Sequence, residues 1–350
     1  MKKVTTTDIA KLAGVSQTTV SLILNDKYSS GISEGTCQKV QKIAKDLGYI
    51  IKNKAKPKRG LTHVIGLLVP TLTNPFFTFV ASCVEEYCFA NGYNVILCNI
   101  ARQTESESDN LAKLVARNVD GIITTYTPSN PDYLLQIDKS IPVILLGESD
   151  TCHNIQTIGI NSEKTGQIIA SYLYEHGHRK IAMLTAPISR ISLARPRRIA
   201  GMRNFLKSKD IEATFYVLED ENEYENDSIY EAEMGFTLTK RLLDNYDFTA
   251  VVAGDLYVPG IYKTLQNAGR NIPRDVSVVG IDNNFMCKLL TPTLTSVDHH
   301  LRDRSKLAVE QLIERIENYK EEIISNYQVE YSPSLVVRQS SGPVKKKSKA

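Results

Sequence analysis

The sequence predicts a small all-α helix-turn-helix head and, after a basic linker, a larger α/β body of two doubly wound parallel-sheet subdomains. Three observations carry that prediction. Residues 5–25 (TTTDIAKLAGVSQTTVSLILN) write two short capped helices around a glycine turn, and from residue 63 short apolar runs rich in Val and Ile alternate with helical stretches. The charge is divided as well. Residues 1–60 carry twelve Lys or Arg against four Asp or Glu and the last six residues add four lysines, yet the whole chain of 350 residues is only +3, so the body between is acidic.

In the head, Thr5 precedes Asp8 by three residues, so the hydroxyl can cap a first helix while the carboxylate sits in its first turn. Ile9, Ala10, Leu12 and Ala13 supply its apolar face, Gly14 ends it, and Val15 plugs the turn. Ser16 caps a second helix whose Val20, Leu22 or Ile23, and Leu24 return to the core. Gln17, Thr18 and Ser21 are left outside. Amides and hydroxyls at the exposed start of a helix can reach base edges in a major groove, and Thr5, Thr6, Ser16 and Asn25 border the same surface. Ser33 with Thr36 starts a third helix through Val40, Ile43, Ala44 and Leu47, closed by Gly48. A helical bundle with no nucleic-acid role would show the same capping, but a basic head on an acidic body is what a phosphate-binding module on a soluble body requires. The linker continues the charge, with Lys52, Lys54, Lys56, Lys58 and Arg59.

In the body, residues 63–69, 94–100, 120–126, 142–147, 180–185, 249–254 and 276–281 are mostly continuous apolar runs, the pattern of strands buried on both faces. Helical stretches separate most of them: 76–92, 162–177, 196–208, 258–269 and 300–319. Such sheets bind ligands beyond the carboxyl ends of their strands. No apolar run approaches the ~20 residues of a membrane span and the chain starts in a polar capped helix, so a soluble, cytosolic protein is expected. Cys37, Cys83, Cys88, Cys98, Cys152 and Cys287 are scattered among apolar neighbours, which reads as reduced, mostly buried thiols. Enzyme readings find little support: there is no GxGxxG, P-loop, HExxH or GxSxG, and His176/His178 and His299/His300 lack the further ligands of a metal site. Neither cofactor nor metal is expected.

Several ordered motifs together resemble the LacI/GalR family of transcriptional regulators: DIAKLAGVSQTTVSLILN in the head, ISEGTCQKVQKIAKDLGY in the third helix, IGLLVPTLTNPFF, EHGHRKIAML, DVSVVGIDN, LTPTLTSV and PSLVVRQS in the body. The resemblance covers nearly the whole chain. It implies a helix-turn-helix domain over 1–48, a hinge over 49–62, and a periplasmic-binding-protein-like effector and dimerisation body over 63–338. That body divides into one subdomain of about 63–160 and 293–322 and another of about 161–292 and 323–338, with a disordered basic tail over 339–350. The resemblance also supplies cleft residues. Arg198 matches the family's effector-contacting arginine and Asp282 its acidic partner, a pairing of bidentate fork and hydroxyl acceptor suited to polyols. Phe76 or Phe77 can stack on a sugar or base ring, Tyr230 falls where relatives place an aromatic wall, and Thr125 and Asp255 sit at strand tips.

The chain also departs from the family. Gly147-Glu148 stands where relatives have Asp followed by Arg or an aromatic, and Gly254 stands where Asn precedes the aspartate, so two polar effector contacts are read as lost. Arg190, Arg195, Arg197 and Arg198 crowd one loop. The expected effector is accordingly a small carbohydrate of anionic type, a sugar phosphate or sugar acid, with Asp282 arguing the other way. In the linker Pro57 interrupts the family's hinge helix and no leucine occupies the minor-groove wedge, which predicts a weaker hinge helix or an extended basic arm. The expected function is a homodimeric, ligand-responsive repressor of a carbohydrate operon that reads a pseudo-palindromic double-stranded operator. An activator of the same family, a binding protein without DNA activity and a sugar-modifying enzyme are the rivals.

Overall fold

The computed structural model describes residues 6–24, 32–46, 60–101, 103–148, 154–187, 192–209, 212–219, 230–318 and 328–345. The chain divides into two compact units, Met1–Gly60 and Leu61–Ala350. Thr5, Asn25, Cys152, Arg190, Pro57 and the linker cations Lys52 to Arg59 lie outside the described residues, so the hinge expectation and the Thr5 cap find no test here.

In the first unit α1 (Thr6–Ala13), α2 (Gln17–Leu24) and α3 (Glu34–Asp46) enclose one core of Ile9, Ala10, Ala13, Val20, Ile23, Cys37, Val40 and Ala44. The expected caps form: Thr19 N donates to Ser16 Oγ at 3.0 Å and Thr36 N to Ser33 Oγ at 3.3 Å. Gly14, at φ +73°, turns the chain between α1 and α2 in a conformation that favours glycine. Leu12 does not join the core but is 59% exposed. Ile9, Ala10 and Ala13 fall within a narrow arc at about 100° per residue, and Leu12 lies well off its centre. The choice between Leu22 and Ile23 resolves to Ile23, which is buried, and Leu22 is left exposed four residues beyond Thr18.

The second unit begins with β1 (Val64–Val69), α4 (Pro75–Ala90), β2 (Asn94–Asn99), α5 (Thr104–Ala116), β3 (Gly121–Thr124), α6 (Pro131–Asp138), β4 (Val143–Leu145) and β5 (Gln156–Ile160). It continues with α7 (Ser162–Glu175), β6 (Lys180–Thr185), α8 (Ala194–Lys209), β7 (Thr214–Glu219), α9 (Tyr230–Asn245), β8 (Ala250–Val252), α10 (Val258–Asn267) and β9 (Ser277–Ile281). The last elements are β10 (Thr295–Asp298), α11 (Leu301–Glu317), β11 (Gln328–Tyr331) and β12 (Ser334–Val336). Among the described residues these make two six-stranded sheets, ordered β2-β1-β3-β4-β5-β11 and β7-β6-β8-β9-β10-β12. The order is the same in both lobes. Every pairing is parallel except β10 with β12. Strand order reverses beside β1 in the first lobe and beside β6 in the second, which is where such sheets hold ligands.

The subdomain boundaries need correction. β10 pairs in parallel with β9 and so belongs to the second lobe, whereas β11 pairs with β5 in the first. The later crossings therefore fall near 299–300 and 332–333 rather than 293 and 323, and α11 returns to the first lobe, where Leu301, Ala308, Val309, Leu312 and Ile316 enter its core. Each of the two strands covers an edge that would otherwise stay open, a non-local choice that short apolar runs do not reveal. The tail expectation is also corrected for its first part. Ser340 Oγ donates to the Val278 carbonyl, Gly342 N to Ser277 Oγ at 3.1 Å, and Val344 N to the His176 carbonyl at 2.9 Å, so 339–344 extend the edge of the second lobe.

No helix among the described residues is long and apolar enough to cross a membrane. Cys37, Cys83, Cys88 and Cys287 are buried free thiols and Cys98 is a half-buried one. Burial pushes the Cys88 thiol up to about 12, which makes it inert at neutral pH.

Candidate functional site

The residues expected to recognise DNA and effector lie on two surfaces. On the head, Gln17, Thr18 and Leu22 are exposed along α2, with Ser16 at its start. The Ser16 hydroxyl is spent on the cap, so Ser16 positions the helix and has little left for a base. Thr6 and Ser21 lie in α1 and α2, with their side chains outside the described residues.

The second surface is a cleft of about 220 Å³ between the lobes of the body. Asn74, Phe76 and Phe77 reach it from the start of α4. The Asn74 side chain caps that helix by accepting from Phe76 N at 2.9 Å, and Pro75 occupies the first turn, so the chain leaves β1 directly into the cleft wall. Phe76 and Phe77 meet edge to face at 5.0 Å, and Phe76 meets the His299 ring at 6.2 Å. Both phenylalanines line the cleft while packing against the first lobe's core. Thr125 lines it beyond β3, with its hydroxyl donating to the Leu68 carbonyl at 3.0 Å, so only its lone pairs remain for a ligand.

From the second lobe, Arg195 and Arg198 enter from the first two turns of α8. A close helix crossing sets their position: a Cβ on Gly166 would stand 2.1 Å from the Arg198 carbonyl oxygen, and one on Gly201 2.1 Å from that of Glu163. Opposite them Asp282 follows β9 at φ +110°, a strained conformation for a residue with a Cβ. Its Oδ1 stands 3.5 Å from His299 Nδ1. Burial first, then Arg198 and Arg304, hold His299 well below its usual range, and burial raises Asp282 to about 8 against the pull of Arg198. The contact is thus a 3.5 Å approach of two groups that burial holds neutral and not an ion pair.

Two expected residues are not in the lining. Asp255 is 1% exposed beneath the site, accepting Asn284 N and Ser296 Oγ at 2.8 Å and Cys287 Sγ at 3.1 Å. Its oxygens are consumed by the loop that presents Asp282. Tyr230 is buried at the start of α9 and Glu231 lines the cleft instead, because consecutive helical residues project about 100° apart.

Sequence reasoning missed Ser162, Glu231 and Arg304 as lining residues and considered His299 only as a metal ligand. Ser162 and His299 sit where the chain crosses between lobes, so the crossings, once located, point to them. Arg304 is buried in α11, donates to the Ile158 carbonyl at 3.2 Å, and is pulled by burial to about 10, still protonated at neutral pH. Around this cleft Ser162 Oγ, Arg198 Nε, His299 Nε2 and Arg304 Nε are buried without a hydrogen-bond partner among the described residues. Buried polar atoms are nearly always satisfied in a completed structure, so four orphans in one cavity mark a place for a polar ligand.

The arginines on which the expected anionic effector rests do not stand alone in the cleft. Glu148, next to Gly147, lines the cleft together with Glu231 and Asp282, so three carboxyl groups share it with Arg195, Arg198 and Arg304.

A three-helix head with an exposed polar second helix, carried with a two-lobed cleft lined by polar and charged groups, defines a ligand-responsive DNA-binding regulator. Residues 5–51 match the model of bacterial regulatory proteins of the lacI family, and residues 170–341 match the periplasmic binding protein-like domain. The chain is 32% identical to the HTH-type transcriptional repressor PurR of Vibrio vulnificus (strain CMCP6), over 95% of this chain and 96% of that protein. It is 29% identical to the ribose operon repressor of Escherichia coli (strain K12), over 95% and 98%. The structure of a LacI family transcriptional regulator from Enterococcus faecium with bound ribose aligns with a TM-score of 0.69 at 26% identity, covering 81% of this chain and all of that one. The chain belongs to the LacI family.

Proposed function

We propose that this protein is a cytoplasmic, non-enzymatic repressor of a carbohydrate-utilisation operon, acting as a homodimer and released from its operator by a neutral sugar of about pentose size. The observation that carries the reading is the set of orphaned polar atoms in the cleft. Arg198 and Arg304 supply donors, Asp282 and Glu231 supply acceptors, and a polyol hydroxyl both donates and accepts. Phe76 and Phe77 offer an apolar wall for the ring. The cavity of about 220 Å³ is smaller than the roughly 300–1,000 Å³ typical of drug-sized pockets, which suits a monosaccharide. Ribose is the ligand of one solved relative and names the operon of another. Exposed Phe79 and Phe89 on α4 and Leu97 on β2 give the first lobe an apolar surface of the kind a partner protomer covers.

Calorimetric titration of the full chain with D-ribose, D-xylulose and ribose 5-phosphate tests the reading. A neutral pentose binds, its phosphate binds more weakly, and Arg198→Ala reduces the affinity by about 1.5–3 kcal/mol, the value of a hydrogen bond to a charged group. Tighter binding of the phosphate, or an Arg198→Ala variant that binds as the wild type does, would overturn it.

A further inference from the structure

Glu148 belongs to the first lobe, in the loop after β4, but its carboxylate is used by the second. Oε1 accepts the backbone N–H of Ser162 at 3.0 Å, and Oε2 accepts the Arg197 guanidinium at 2.9 Å. The loop is held in place by Thr127 Oγ1, which donates to the Glu148 carbonyl at 2.6 Å. Ser162 opens α7, a helix of 14 residues capped at Asn161, whose side chain accepts from Lys164 N and leaves the Ser162 N–H to find an acceptor elsewhere. An unclaimed amide at a helix start beside a guanidinium is the donor set that binds small anions. A second observation points to the same place. Ser162 lines the cleft and is 1% exposed, and its Oγ is buried with no partner among the described residues.

We propose that Glu148 is an intramolecular plug: reaching from the first lobe, its carboxylate occupies an anion site that Ser162 and Arg197 form on the second, latching the lobes together and keeping small anions out. The arginines of α8 that give the sequence its cationic loop are in this way partly neutralised from across the cleft. A neutral sugar enters without disturbing the latch, whereas an anion must displace Glu148 and separate the lobes to bind. Asn74 Nδ2 also faces Glu231 Oε1 across the cleft, but at 3.5 Å it is too long to serve the same purpose. The proposal extends the sugar-cleft reading to the ligand's charge and rests on it only in treating this cleft as the effector site.

Amide hydrogen exchange on the full chain, followed in the peptide that contains Ser162 with and without inorganic phosphate, tests the plug without any sugar. In the wild type this amide exchanges slowly and phosphate leaves it unchanged. In Glu148→Ala exchange accelerates about tenfold, as expected for loss of one charge-assisted bond, and phosphate slows it again by taking the vacated place. In Glu148→Ala/Arg197→Ala phosphate has no effect. Glu148→Gln, which keeps the side-chain shape, accelerates exchange less, and exchange in the first-lobe peptide over β1 stays at the wild-type rate in every variant, which separates unlatching from unfolding. Exchange within twofold of wild type in Glu148→Ala, or phosphate protecting the wild type as much as the variant, would overturn the proposal. Failure of the pentose titration would leave this outcome untouched, so the two readings fail separately.

Discussion

Asp255 is a carboxyl group without solvent, placed so that three donors converge on it. Burial raises its pKa to about 6, with the Cys287, Asn284 and Ser296 hydrogen bonds holding the rise in check. A raised carboxyl pKa means the native state keeps a proton that the unfolded chain, at its ordinary value of about 3.9, has already lost. The contribution of Asp255 to stability is therefore greatest below that value, falls as pH climbs from about 4 to about 6, and is level above. At roughly 1.4 kcal/mol per unit the loss is about 3 kcal/mol. Urea unfolding of wild type and Asp255→Asn across this window should show the difference between them changing by that order, with the wild type losing more as pH rises; parallel curves would show that Asp255 stays ionised. On the head, Gln17 and Thr18 are exposed at the start of α2. Replacing either with alanine is expected to cost about 1–3 kcal/mol of operator affinity while leaving nonspecific DNA binding in place. Fluorescence anisotropy with operator and scrambled duplexes checks this, and an equal loss on both duplexes would assign these residues to the backbone instead.

At the scale of elements, the position of Arg198 depends on how closely α7 and α8 approach. A Cβ at Gly201 meets a backbone oxygen at 2.1 Å, which no side-chain rearrangement relieves. Gly201→Ala should destabilise the body by about 1–3 kcal/mol, the usual cost of overpacking, and weaken sugar binding further by moving the start of α8. Thermal melting and the pentose titration together check both effects, and unchanged binding would mean the crossing does not set the site. The elements themselves differed in how legible they were. β1, β3, β6 and β9 are continuous apolar runs buried on both faces, which the sequence displays directly. β5, with its TIGI core, and the half-buried β7 carry weaker runs, while β10, β11 and β12 are three or four residues long and are strands only because a sheet edge is there to pair with. In the site, Thr125 and the phenylalanines were legible from their places after strands, and Arg198 and Asp282 through the family resemblance. Glu231, His299 and Arg304 were not, because each reaches the cleft through a lobe crossing or a helix face that only the assembled fold defines; Glu148 stands after β4, but only the assembled fold brings its carboxylate to Ser162 and Arg197.

For the whole molecule, two lobes of identical strand order joined by repeated crossings make a hinge, and Ser162 and His299 bring polar groups from the crossings into the cleft. Asn161 ties one crossing to another, its N–H donating to the Tyr331 carbonyl at 3.3 Å and its side chain to Glu330 at 2.9 Å. A ligand that favours one lobe arrangement shifts the population toward it by no more than its difference in affinity for the two states. A separate head then reports that state on DNA. Footprinting of the full chain on operator DNA selected from a random pool, with the pentose that binds in calorimetry added in steps, tests this coupling of cleft to head. Protection of a pseudo-palindrome with half-sites about one helical turn apart is expected, with release as the sugar saturates the cleft, and with an Arg198→Ala variant that binds the same site and is not released. No selected sequence, or release of Arg198→Ala at the wild-type sugar concentration, would contradict it.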